Sequence, residues 1–91
     1  MKAFIISYDL CAPGRDYTAL YKKIQSYPYR VYATESTLIV LSSSNAVDIR
    51  DNLLTAMDSD DRLFVAELTG AAAWNNSYGS SEYLKRLLEH K

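Results

Sequence analysis

Cysteine, histidine, glycine and proline are all scarce in this chain, and each scarcity removes a class of protein. The one cysteine, Cys11, has no internal partner for a disulfide. With the one histidine, His90, it supplies too few ligands for a zinc site and makes no thiol–imidazole pair. Serine and threonine are present at Ser36, Thr37 and Ser42 to Ser44, yet a Ser–His–acid triad has only His90 to draw on. Three glycines and two prolines leave no glycine-rich phosphate loop and no low-complexity tract. Long hydrophobic runs are missing too. Leu38-Ile39-Val40-Leu41 is the longest aliphatic one, far short of the roughly 18 residues of a membrane span. The start, Met1-Lys2-Ala3-Phe4-Ile5-Ile6, has neither the long apolar stretch nor the cleavage site of a signal peptide. A cytoplasmic protein without a membrane partner is expected.

Neither sign of charge dominates. Ten Lys and Arg against 11 Asp and Glu give a net charge of −1, so the overall field does not pull the chain towards nucleic acid. The charges are nevertheless segregated. Residues 1–34 carry five basic and two acidic groups, residues 35–67 two and seven, and residues 68–91 three and two.

What is present is the material of one packed domain: 91 residues, 48% of them hydrophobic and 23% charged. A chain this short buries only about 60–65% of its unfolded surface. Residues 2–10 alternate, with Phe4, Ile6, Tyr8 and Leu10 on one side and Ala3, Ile5, Ser7 and Asp9 on the other, which is the period of a strand. Pro13-Gly14 breaks it, and Asp16 stands where a helix N-cap belongs. Tyr17, Leu20, Tyr21 and Ile24 then recur at helical spacing, with Lys22 and Lys23 towards solvent and Pro28 as the stop. Tyr29 to Ser42 is β-branched and aromatic. It reads as two strands broken at Glu35-Ser36-Thr37 or as one long bent strand. Ser44-Asn45 caps a second helix built on Ala46, Ile49, Leu53, Leu54 and Met57. After the acidic loop Asp58-Ser59-Asp60-Asp61, residues 62–68 read as a strand. An irregular stretch through Trp74 leads to a last helix that begins at Ser80 or Ser81 and carries Tyr83, Leu84, Leu87 and Leu88.

The order β-α-β-β-α-β-α predicts an α+β fold: a ferredoxin-like βαββαβ two-layer sandwich over residues 1–69, with a connector and an extra C-terminal helix in residues 70–91 of the same domain. Both crossover helices then pack on one sheet face, and the other face needs a cover. A second copy stacked sheet on sheet is the simplest one, with Ile5, Ser7 and Trp74 as interface residues of a homodimer.

Asp9 is the sharpest chemical candidate, because a carboxylate ending a buried strand must be capped, paired or bound to a metal. It either accepts hydrogen bonds from the Leu10–Arg15 amides, or joins the second copy's Asp9 in holding a Mg²⁺ ion that polarises a phosphodiester and activates water. Arg15 in the neighbouring loop, with Lys22, Lys23 and Arg30, is the candidate phosphate-binding set. Among eight tyrosines, Tyr8, Tyr29, Tyr32 and Tyr78 are candidates for base stacking or for an interface. The 58–61 loop departs from the EF-hand pattern, with Leu63 and Thr69 where Gly and Glu belong.

The strand Phe-Ile-Ile-Ser-Tyr-Asp-Leu, the stretch Arg30-Val31-Tyr32 with Glu35-Ser36-Thr37, the run Asp60 to Val65 and the pair Ala73-Trp74 together resemble the small SinR-like proteins. These are similar in turn to the second CRISPR-associated (Cas) protein and to VapD toxins. The resemblance spans residues 1–74. It implies a homodimer associated with RNA or DNA and, in some members, Mg²⁺-dependent endonuclease cleavage with Asp9 as the catalytic ligand. A non-catalytic dimeric scaffold within a larger protein complex and a VapD-like toxin are the alternatives.

Overall fold

The computed structural model describes residues 1–89; His90 lies outside the described residues. Seven elements follow one another: β1 (Lys2–Asp9), α1 (Thr18–Gln25), β2 (Arg30–Thr34), β3 (Thr37–Ser42), α2 (Ala46–Leu54), β4 (Arg62–Leu68) and α3 (Ser81–Glu89). The four strands form one sheet in the order β2-β3-β1-β4, antiparallel at every neighbour. Strands β1 and β2 therefore run parallel with β3 between them, and β3 and β4 run parallel with β1 between them. Helices α1 and α2 are the two crossovers.

The expected alternation of β1 holds and sorts the core into two layers. Phe4, Ile6 and Tyr8, with Leu38 and Val40 of β3, meet Leu20 and Ile24 of α1 and Ile49 and Leu53 of α2, all at 8% exposure or less. Ala3 of β1, Val31 of β2, and Ile39 and Leu41 of β3 point the opposite way. The register pairs Ile6 with Leu38 on one side and with Val65 on the other, so the face assignment carries across the sheet. Of the two readings of Tyr29 to Ser42, the structure takes the hairpin. It turns at Glu35-Ser36, and an irregularity between Tyr32 and Thr34 twists the end of β2.

Helix ends follow their caps. Asn45 is the N-cap of α2 and accepts the Asp48 amide at 2.9 Å, whereas the N-cap position of α1 falls to Tyr17 and not to Asp16, which stands one residue earlier and accepts the Thr18 amide at 2.9 Å. Ser80 receives the Tyr83 amide at 3.2 Å at the start of α3. The stripe expected on α1 is narrower than its spacing suggests: Leu20 and Ile24 are buried, but Tyr21 is exposed. Two turns of helix crossing one sheet need only two inward residues, which leaves Tyr21 for the rim of a cleft.

The cover for the second sheet face is also different from the one expected. Helix α3 of the same chain, and not a partner's sheet, lays Leu84, Leu87 and Leu88 over Ala3, Val31, Ile39 and Leu41, with Ile5 and Leu68 half-buried at the margin. A nine-residue helix is too short to hold itself in water; its stability comes from this apolar stripe. The connector that delivers it runs along the open edge of β2, where the Tyr78 and Gly79 amides donate to the Ala33 and Tyr32 carbonyls at 2.9 and 2.7 Å. A Cβ on Gly79 would stand 2.7 Å from Val31 Cγ2, so only glycine approaches this closely. No helix among the described residues is long and apolar enough to cross a membrane.

Candidate functional site at the end of β1

Helix α3 covers only the Lys2 end of the sheet face. Towards the Asp9 end, Ser7, Thr37 and Phe64 lie side by side in the register, and Asp9 pairs with Arg62. The Ser7 and Thr37 hydroxyls share a 3.0 Å hydrogen bond. Phe64 is 64% exposed. The Asp9 carboxylate accepts Arg62 Nη1 at 2.9 Å, with the two side chains 60% and 79% exposed. A pair this wet is weakly coupled.

Within one chain the partner of Asp9 is Arg62 and not the loop amides. Asp9 does not cap the following loop; Asp61 does. The Asp61 carboxylate takes the Cys11 amide at 2.7 Å and the Tyr17 hydroxyl at 2.8 Å on one oxygen, and the Asp58 amide at 2.7 Å on the other. Burial disfavours the ionised form of Asp61, but those three donors outweigh it and hold the carboxyl below its ordinary value. Tyr17 is pushed up, by burial first and then by the hydrogen bond it gives to Asp61. The acidic 58–61 loop thus works as a clip on the 10–17 loop.

Nor is Asp9 part of a cation site in one chain. No three His, Cys, Asp or Glu side chains group together among the described residues. The guanidinium of Arg62 already occupies the Asp9 carboxylate. A hard cation asks for more oxygen donors than this, so the residues of a single chain do not fit Mg²⁺.

The basic residues expected to gather around phosphate are dispersed. Arg15 pairs with Asp58 at 3.3 Å and lies over the Tyr17 ring, 5.6 Å from its centroid. Arg30 Nη1 donates to the Gln25 and Tyr27 carbonyls at 3.2 and 2.9 Å, closing the C-terminal end of α1. Lys23 reaches Asn52 at 3.2 Å, and Lys22 stands in solvent. The three interface candidates do not form one surface either. Ile5 lies beneath the connector and α3, in an apolar groove of about 140 Å³ that Trp74 also lines, while Ser7 belongs to the uncovered end. Trp74, 39% exposed, gives its indole N–H to Ser81 at 2.8 Å and so ties the connector to the start of α3.

On the helix side of the same strand end, Tyr8, Asp9, Leu10, Tyr21, Tyr32, Glu35, Ser36 and Tyr78 surround an open cleft of about 440 Å³. Burial, followed by the hydrogen bond with Tyr32 at 3.0 Å, pushes the Tyr8 hydroxyl well up and keeps it protonated. Of the four tyrosines singled out in the sequence, Tyr8, Tyr32 and Tyr78 meet here although Tyr78 arrives from a connector 46 residues after Tyr32, while Tyr29 does not line the cleft and Tyr21 does. No family model, curated protein or solved structure matches this chain.

Proposed function

We propose that this chain is a nucleic-acid-associated protein of ferredoxin-like strand order, related to the SinR-like group, that meets single strands on the uncovered end of its sheet. The order β2-β3-β1-β4 with two crossover helices on one face supports the fold reading. The observation that carries the functional reading is Phe64, a large ring 64% exposed on that sheet face. Beside it Arg62 is held only by a solvent-exposed carboxylate. A ring of this kind stacks on any base, and the guanidinium meets the neighbouring phosphate. A second copy would add along the outer edge of β4, which pairs with no strand among the described residues.

Fluorescence anisotropy of labelled single-stranded RNA and DNA tests this. Wild type should bind with an affinity that falls as salt rises, and Phe64→Ala should weaken binding by about fivefold or more, given roughly 1–3 kcal/mol for a stacked base. Absence of binding at low salt, or an unchanged Phe64→Ala variant, would remove the reading.

A second reading, metal-dependent phosphodiester cleavage, rests on the exposure of Asp9 at the end of β1. It requires a second carboxylate from another copy, since one chain lacks the donors. Incubating both nucleic acids with wild type and Asp9→Asn in Mg²⁺, Mn²⁺ or EDTA separates the two. Metal-dependent cleavage lost in the variant makes the protein an enzyme, and binding without turnover in every condition leaves the binding module.

A further inference from the structure

The tyrosine-lined cleft on the helix side has a chemistry of its own. Tyr32 and Tyr78 meet edge to face, with centroids 6.4 Å apart and planes at 64°, so they form two walls of a corner and not a stacked pair. Tyr8, 8% exposed and hydrogen-bonded to the Tyr32 hydroxyl, is the best-buried ring in the lining; Tyr21, exposed on α1, stands on another side. Asp9 and Glu35 are the charged residues of the lining, and no basic side chain is among them. Glu35 makes no ion pair among the described residues, whereas Asp9 shares its charge with Arg62 on the other face. The volume of about 440 Å³ falls within the roughly 300–1,000 Å³ usual for small-molecule sites.

We propose that this cleft binds a small alkylammonium cation, held between the Tyr32, Tyr78 and Tyr21 rings and neutralising the Glu35 carboxylate. The faces of the tyrosine rings present negative charge density, and a compact alkylated ammonium matches a corner of inclined rings. Of the two carboxylates in the lining, Asp9 is engaged by Arg62, which leaves Glu35 to meet the cation. An anionic ligand is disfavoured by two carboxylates without a compensating base. The site is also held in place: Tyr78 is positioned by its own amide on Ala33 and by the close approach of Gly79 to Val31. This proposal is independent of nucleic-acid binding, which uses the opposite sheet face.

Choline and its neutral carbon isostere 3,3-dimethylbutan-1-ol are the probes, titrated into the ¹⁵N-labelled full chain and followed by amide shifts. Choline should give saturable shifts at Tyr8, Tyr21, Tyr32, Glu35 and Tyr78, and the isostere should not. Tyr78→Leu and Glu35→Gln, both surface changes, should each weaken choline by about threefold or more, the scale of one exposed cation–π contact or ion pair. Unchanged spectra elsewhere show that the variants are folded. Equal response to the isostere, no saturable response to choline at tens of millimolar, or undiminished binding by both variants would overturn the assignment.

Discussion

The two faces of the sheet are covered by helices of similar length, yet they are covered in different ways. On the first face, α1 and α2 are crossovers, and the chain cannot connect its strands without laying them there. Their layer closes over Phe4, Ile6, Leu38 and Val40, each at 0% exposure. On the second face α3 is an appendage brought in by an irregular connector, and it reaches only as far as Ile5 along β1. The larger core layer therefore sits on the crossover side, the smaller one lies under α3, and the candidate sites gather at the strand end that α3 leaves open.

Truncation in the two layers measures that difference. Phe4→Ala in the crossover layer should cost about 3–5 kcal/mol, a large share of the roughly 5 kcal/mol expected of so small a domain. It should leave the protein largely unfolded in urea titration. Leu84→Ala in the α3 layer should cost less, about 2–3 kcal/mol, because a helix held to the sheet by one short apolar stripe can settle into part of the cavity. Equal losses would mean that α3 is as integral as the crossovers.

Gly79→Ala probes the connector. The added methyl meets Val31 Cγ2 at 2.7 Å and the Tyr32 carbonyl at 3.2 Å, and overpacking of this kind costs about 1–3 kcal/mol. The loss should appear in the melting temperature, and amide shifts should concentrate at residues 31–33 and 77–84. An unperturbed α3 with normal stability would show that the connector yields freely, and that its approach to β2 does not set the position of the helix.

A pH titration tests the Asp61 clip. The carboxyl of Asp61 is held below its ordinary value of 3.8 by its donors. Its contribution is thus complete above the unfolded value and is lost as pH falls through the lower folded one. Wild-type melting temperature should fall across that acid range more steeply than that of Asp61→Asn, and the variant should be the less stable of the two at neutral pH. Asp16 is shifted in the same direction by its bonds to Thr18, so some acid dependence survives in the variant. Parallel curves would mean that the clip does not hold the 10–17 loop.

The sequence shows local matters well and distant partners poorly. The alternation of Phe4, Ile6 and Tyr8 against Ala3, Ile5 and Ser7 was readable because one face of β1 is fully buried while the other grows polar towards Ser7 and Asp9, so the period of two shows. The cap at Asn45 was readable because it acts within three residues, and Asp16 was placed one residue short of the true N-cap position, Tyr17. In the sequence Asp61 shows only as one residue of an acidic loop. Its donors at Cys11 and Tyr17 lie 50 and 44 positions away, and nothing in the local pattern points to them. Arg30 was grouped with phosphate-binding residues on charge alone, although its role is to close α1 through two carbonyls. The tyrosine cleft emerged only in part, with Tyr29 in place of Tyr21, since it draws on β1, α1, β2 and the connector at once.

The smallest effect is the most informative about Asp9. Its pair with Arg62 spans 53 positions and closes the pairing of β1 with β4, so the contact looks like a staple. Exposure argues the other way: with side chains 60% and 79% accessible, water screens the attraction, and a double-mutant cycle over Asp9→Asn and Arg62→Gln should return about 0.2–1 kcal/mol, declining in salt. A coupling that small means the carboxylate is not committed to stability and can exchange Arg62 for another partner at little cost. A coupling of about 2 kcal/mol or more, insensitive to salt, would instead place Asp9 beside Asp61 as a structural clip. The open end of the sheet would then have Phe64 as its one candidate for contact with a ligand.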